Sequence, residues 1–297
     1  MKKAKYLLIS IRPKQWYKNI ILFVGIVFSA NMPNISMWAK VIPAFVFFCM
    51  LSAGEYLIND VLDKERDRKH PIKCKRPVAS GQLKVSHALL FASLLIVLAL
   101  LGAYLTINIK FLFVSALYVI LVLLYSLMLK HLVIADILAI SIGFVIRAAA
   151  GCLAIEVLIS PWLIICVFLL ALFLALGKRK HELVLLDEEA RVHRKILEGY
   201  STKFLDQLIG ISLGTLITSY CLYTFLTENN YMMLTIPVAV YGVFRYLFLV
   251  RTKNLGGETE MIFKDKGMVI CLVLWVMLVV LILYWAPRIG FGFVAKR

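Results

Sequence analysis

The segment Glu55-Tyr56-Leu57-Ile58-Asn59-Asp60-Val61-Leu62-Asp63-Lys64-Glu65-Arg66-Asp67 sets aspartates at 60, 63 and 67, the i, i+3, i+7 spacing that a helix projects from one face. Three like charges held together and partly removed from water are unfavourable unless a cation neutralises them. Hard oxygen ligands of this kind suit magnesium, which completes its shell with the oxygens of substrate phosphates. Asp60, Asp63 and Asp67 are therefore candidate metal ligands and candidate catalytic residues. The competing reading is a solvated helix end with its acids paired to Lys64, Arg66, Arg68 and Lys69. Against it, Asn59 and Asp60 still belong to an apolar stretch, where charge is expensive and usually functional.

The run Arg68-Lys69-His70-Pro71-Ile72-Lys73-Cys74-Lys75-Arg76-Pro77-Val78-Ala79-Ser80-Gly81 follows, and its prolines and glycine end any continuing helix. It reads as a loop folded back over the acids. Basic side chains such as Lys73 and Arg76 beside a metal-carboxylate site can bind the oxygens of a diphosphate that the metal only partly neutralises. Carboxylates, metal and cations together describe a diphosphate site. Arg147, flanked by apolar residues, needs an anion or a polar cavity, and phosphate binding is favoured over snorkelling.

The elements that must position these residues are membrane spans. Of the 297 residues, 62% are hydrophobic and 17% charged, far from the mixed surface that a soluble domain needs. Apolar stretches near twenty residues run over 19–38, 40–62, 87–107, 110–129, 132–153, 160–178, 204–226, 232–250 and 268–286. These predict an all-α bundle of about nine transmembrane helices. The lysines of residues 1–10 resemble a signal peptide, but Arg12, Pro13 and Lys14 cut the apolar run short and no small-residue cleavage site follows, so the segment is kept as mature protein. With the N-terminus placed in the cytoplasm, 26 of the 33 basic residues fall on that side. This asymmetry predicts a multi-pass protein of the cell membrane whose active-site loops are cytoplasmic. It also accounts for most of the net charge of +16, so nucleic acid is not expected as a partner. The six cysteines show no paired metal spacing and are assigned no chemistry. With no internal repeat, residues 1–297 read as one catalytic domain with a cytoplasmic arm over 1–18 and catalytic loops over 63–86 and 178–203.

The motif Asn59-Asp60-x-x-Asp63-x-x-x-Asp67, followed by His70-Pro71 and Arg76-Pro77, resembles the first aspartate-rich motif of the UbiA superfamily of intramembrane prenyltransferases. The resemblance covers essentially the whole chain. It implies nine helices, cytoplasmic catalytic loops, magnesium as cofactor, and Asn59 as a substrate contact beside the three acids.

The chain departs from that pattern in one place. A second acidic motif belongs after the sixth helix, but Gly177-Lys178-Arg179-Lys180-His181-Glu182-Leu183 stands there, and Asp187, Glu188 and Glu189 follow without the right spacing. The decaprenyl-phosphate phosphoribosyltransferase branch of the superfamily is similar to the chain in this stretch, in Arg12-Pro13-Lys14-Gln15-Trp16-Tyr17-Lys18-Asn19, in Tyr125-Ser126-Leu127-Met128-Leu129-Lys130, and around Arg147 and Ser160-Pro161-Trp162. That branch moves a 5-phosphoribosyl group from phosphoribosyl diphosphate to a polyprenyl phosphate, which makes those two molecules and the lipid bilayer the expected partners. Phosphoribosyl diphosphate carries a further phosphate at its far end, which Lys178 and Arg179 could hold while Glu182 meets the ribose hydroxyls. Lys18, Tyr125 and Lys130 enter as substrate contacts through the resemblance alone. Cell-wall precursor synthesis is what the branch implies. Two other readings stand beside it: an orthodox UbiA prenyltransferase acting on an aromatic or glycerol-phosphate acceptor, and a transporter. Lipid chain length and oligomeric state, a homo-oligomer included, stay open.

Overall fold

Backbone amides in hydrocarbon must find partners within the protein, and a helix satisfies each one locally. The computed structural model describes residues 2–158, 160–185, 199–227, 229–252 and 265–285, and among these it contains helices and no strand. Eight of the helices are long and apolar enough to cross a membrane. The protein is an all-α, multi-pass membrane protein. Asp187, Glu188 and Glu189, with the rest of 186–198 in the second expected loop, lie outside the described residues, as do Arg288, Lys296 and Arg297.

The chain forms two compact units, Met1–Ile159 and Ser160–Arg297. The first contains α1 (Lys2–Ser10), a 3-10 segment (Pro13–Phe23) running into α2 (Val24–Phe28), α3 (Ile35–Leu62), α4 (Lys64–Lys69), α5 (Val85–Thr106), α6 (Ile109–Leu127) and α7 (Ala135–Ala154). The expected span at 19–38 is corrected here. Its apolar run is divided at 29–34, where Ala30 has a positive φ of 56°, Pro33 has no amide hydrogen to donate, and the Asn34 side chain accepts from the Ser36 amide to cap α3. The stretch before this break is wound mainly as 3-10 helix. Eleven such residues rise about 22 Å and the five of α2 about 8 Å more, roughly the thickness of the hydrocarbon core. Residues 13–28 thus supply the reach of a ninth crossing without the form of a regular α-helix.

Small residues let these elements approach closely, as membrane bundles require. Ala99 and Ala103 of α5, Phe48 and Leu51 of α3, Phe111 and Tyr118 of α6, and Ala150 and Ala154 of α7 close around Leu22 of the 3-10 segment in one buried cluster. Gly151 of α7 lies so near that a Cβ there would stand 1.9 Å from the Leu22 carbonyl oxygen. A second cluster joins Leu57 at the end of α3 to Val78 and Leu83 of the following loop, with Tyr6, Leu7 and Ile11 packed against it. The loop therefore folds back beside α3, as expected, and Arg68 Nε ties it down by donating to the Ala79 carbonyl at 3.1 Å. Outward faces of α5 and α6 carry Leu94, Val97, Leu101, Leu105, Phe113, Leu117 and Ile120, an exposed apolar surface suited to lipid.

The second unit contains α8 (Pro161–Leu185), α9 (Thr202–Leu226), a 3-10 turn (Asn230–Thr235), α10 (Ile236–Thr252) and α11 (Lys266–Tyr284). Some of its polar groups are paired across elements: the Tyr220 hydroxyl lies 2.6 Å from Thr235 Oγ1 and accepts from Trp275 Nε1 at 2.9 Å. Arg245, which falls inside an expected span, is compensated by Asp265 through contacts of 2.8 and 3.0 Å. The same carboxylate caps α11 through the Met268 amide.

Candidate active site

The α3 helix ends at Leu62, yet the amides of Asp63 and Asp67 still donate to the carbonyls of Asn59 and Asp63, so α4 continues nearly the same winding. That continuity brings two of the three aspartates together. Arg76, returning in the loop, places Nη1 2.6 Å from Asp67 Oδ2 and 3.2 Å from Asp60 Oδ1. Asp60 Oδ1 also accepts from Arg12 Nη2 at 2.5 Å. Both carboxylates are buried, at 2% and 3% exposure, and neutralised by two guanidiniums. Asp63 turns elsewhere. It accepts from Lys130 Nζ at 2.8 Å, the same ammonium reaches Asn59 Oδ1 at 3.3 Å, and Arg66 lies 3.7 Å from the carboxylate.

Three acids thus meet four cations, Arg12, Arg66, Arg76 and Lys130, at one end of the first unit. Among the described residues no group of three His, Cys, Asp or Glu side chains is arranged around a common point. The convergent pair Asp60 and Asp67 nevertheless offers the hard oxygen donors that suit magnesium, an ion that commonly takes one or two carboxylates and fills its shell with phosphate oxygens and water. Lys73 is half-buried in the short turn Lys73–Lys75 of this loop, and its amide donates to His70 Nδ1 at 3.3 Å.

Arg147 does not snorkel. It lies on α7 at 7% exposure, where Nε donates to Asn19 Oδ1 at 2.9 Å, Nη1 to the Gly143 carbonyl at 3.1 Å and Nη2 to the Tyr118 hydroxyl at 2.6 Å. The Tyr118 hydroxyl in turn donates to Glu55 Oε2 at 2.9 Å, and the guanidinium stands 4.6 Å from the Tyr118 ring centre. Lys18, on the 3-10 segment, donates to Gln15 Oε1 at 3.2 Å. Tyr125 lies half-buried on α6, close in sequence to Lys130.

In the second unit the expected cationic stretch, 178–180, lies on α8 ahead of its last turn, which carries no basic residue. Arg179 is 2% exposed and donates to Glu182 Oε2 at 2.6 Å, Lys180 donates to Asp206 Oδ1 at 2.7 Å, and Lys178 is exposed. Gly177 admits the Tyr246 hydroxyl, which would stand 2.9 Å from any Cβ at that position.

Sequence reasoning did not select Arg12, Glu55, Asn19 or Tyr118 as site residues. Glu55 carried a usable signal, since a carboxylate one turn inside an apolar span needs a partner. Arg12 could be seen only as one more cation of the arm, because its pairing with Asp60 spans 48 residues.

The chain matches the UbiA prenyltransferase family over residues 20–265 and belongs to that family. It is accordingly an enzyme, a transferase. It is 32% identical over 287 residues to the decaprenyl-phosphate phosphoribosyltransferase of Mycolicibacterium smegmatis, with 90% of this chain and 89% of that one covered. The protein of the same name from Corynebacterium glutamicum is 32% identical over 289 residues, covering 94% of this chain and 86% of its own. A solved UbiA homolog from Archaeoglobus fulgidus, bound to DMAPP and Mg2+, is similar in fold with a TM-score of 0.74 at 18% identity, over 93% of this chain and 98% of that one.

Proposed function

We propose that the enzyme transfers the 5-phosphoribosyl group of phosphoribosyl diphosphate to a polyprenyl phosphate, releasing diphosphate. The observation that carries this reading is the excess of cations over carboxylates around Asp60, Asp63 and Asp67, which leaves positive charge for phosphate oxygens even with every acid paired. The names of the two bacterial relatives support it, and the magnesium in the archaeal homolog supports a divalent metal.

Asp60, Asp67 and Asp63 are the proposed holders of magnesium, which when bound offsets the charge of the diphosphate. Lys73 and Arg76 meet the charge that grows on the leaving oxygens. An acceptor phosphate is already ionised at neutral pH, so its oxygen attacks the anomeric carbon without a strong general base, opposite the departing diphosphate and with inversion. Positioning and electrostatics supply most of the acceleration. Lys18, Asn59, Tyr125, Lys130 and Arg147 complete the proposed substrate contacts, and Lys178 and Arg179 with Glu182 take the ribose 5-phosphate and hydroxyls. In this reading all of residues 1–297 serve one catalytic domain, and the arm and catalytic loops face the cytoplasm of a cell membrane.

The test is purified protein given labelled phosphoribosyl diphosphate, magnesium and polyprenyl phosphates of several lengths. Label should enter the lipid. If no label enters lipid while a prenyl diphosphate is consumed, the donor is an isoprenoid and this reading falls.

A further inference from the structure

Two guanidiniums share one oxygen of Asp60, and they are not equivalent. Arg76 bridges Asp60 and Asp67, so it is held at two points. Among the described residues Arg12 forms an ion pair with Asp60 alone. Its guanidinium lies 4.9 Å from the centre of the Tyr56 ring, a face that still attracts a cation when the carboxylate is taken away. The Arg12 side chain also keeps 21% exposure, against 2% for Asp60, so it stands on the open side of the pair. Its backbone occupies the left-handed region at φ 50°, ψ 61°, between the end of α1 and the rigid φ of Pro13. A non-glycine residue holds that conformation only where its surroundings fix it, and Asp60 and Tyr56 are what fix this side chain.

The charges explain why this matters. Asp60 and Asp67 with Arg12 and Arg76 sum to zero, so the empty site is closed to a divalent cation by its own arginines. A cation on these carboxylates leaves two guanidiniums without partners beside it, in the position where the oxygens of a diphosphate would be. We infer that Arg12 is an exchange residue: it closes Asp60 while the site is empty, and passes to the diphosphate when Asp60 engages a divalent cation. Cation and diphosphate are then coupled, because each removes the penalty that the other would meet alone. This inference rests on the metal-diphosphate part of the proposed function and is independent of which group the diphosphate leaves.

The experiment measures binding, with Mn2+ as the cation and inorganic diphosphate as the anion. Without diphosphate, Arg12→Ala should bind Mn2+ about tenfold more tightly than the unaltered protein, because the competing charged contact is gone. With Mn2+ saturating, the same variant should bind diphosphate about tenfold more weakly. Lys69→Ala removes the same charge from α4, where Lys69 is exposed, and should change either constant less than about twofold. Arg12→Lys keeps a cation near Asp60, so its Mn2+ affinity should stay within about twofold of the unaltered protein. It also keeps the measurement open if Arg12→Ala fails to fold. Equal tightening in Arg12→Ala and Lys69→Ala reduces the effect to net charge and overturns the exchange. Unchanged diphosphate binding in Arg12→Ala overturns it as well, as does tenfold tighter Mn2+ binding in Arg12→Lys. If the exchange holds but no phosphoribosyl label reaches lipid, the donor assignment fails and the role of Arg12 stands.

Discussion

The Nε of Arg147 donates to Oδ1 of Asn19 over 2.9 Å, although 128 residues of sequence separate them. This bond joins α7 to the 3-10 segment inside the membrane region, and Tyr118 extends it to Glu55. A buried charge whose balancing partner is removed typically costs about 3–5 kcal/mol, whereas removing both charges together is far less damaging. Arg147→Met should therefore lower the melting temperature in detergent sharply, and adding Glu55→Gln should recover most of the loss. A double variant no more stable than the single one would show that Glu55 does not balance Arg147.

Asp60→Asn and Asp67→Asn should each lower turnover about a hundredfold or more, with the helical signal in detergent unchanged, since preorganised electrostatic groups at a reacting centre commonly act on this scale. A chelator should abolish activity in the unaltered enzyme and added magnesium restore it. Unimpaired rates from either variant at limiting magnesium would remove these acids from the mechanism.

Lys178→Ala and Arg179→Ala should raise the Michaelis constant for phosphoribosyl diphosphate roughly ten- to a hundredfold, the effect of losing about 1.5–3 kcal/mol of charged contact, and leave the lipid constant nearly unchanged. Glu182→Gln tests the same site from its other side. Because Glu182 accepts from Arg179 at 2.6 Å, its loss should loosen the guanidinium and raise the same constant by a smaller factor. A rise confined to the polyprenyl phosphate constant would assign these cations to the acceptor.

Gly151→Ala should prevent recovery of folded protein or lower its melting temperature by many degrees, because the new methyl would occupy the place of the Leu22 carbonyl oxygen. Gly210→Ala is the control, since a Cβ there meets nothing within 4 Å and a helix gains from the change. Similar melting temperatures for the two variants would mean that α7 and the 3-10 segment separate easily.

The carboxylates of the site, its cationic loop and eight spans were legible because each is a local pattern: a spacing of three and seven, a pair of prolines, twenty apolar residues. The pairings were not. Nothing near Asp63 in the sequence assigns it to Lys130 rather than to Arg76, since that choice follows from where α6 delivers residue 130 beside the end of α3. The boundary at 29–34 was also missed, because hydropathy is averaged across Asn31, Pro33 and Asn34, whereas the break depends on one capping side chain and one absent amide hydrogen. The 3-10 winding left no trace in composition. It is imposed by contacts to α3 and α7, which a window of neighbouring residues does not contain.

The 3-10 segment also acts as a ruler. Its arm is anchored near the top by Arg12 on Asp60 and lower down by Asn19, which meets Ser52 and Cys49. On α3 those two residues lie about 12 and 16 Å below Asp60 at the α-helical rise. The seven steps from Arg12 to Asn19 cover about 14 Å when wound as 3-10 helix and only about 10 Å as α-helix, so the tighter coil matches the spacing of the two anchors more closely. One inserted residue would swing Arg12 about a third of a turn away from Asp60, and three would restore its bearing but overshoot by about 6 Å. Between these anchors, Lys18 apart, the chain should therefore accept changes of side chain far more readily than changes of length.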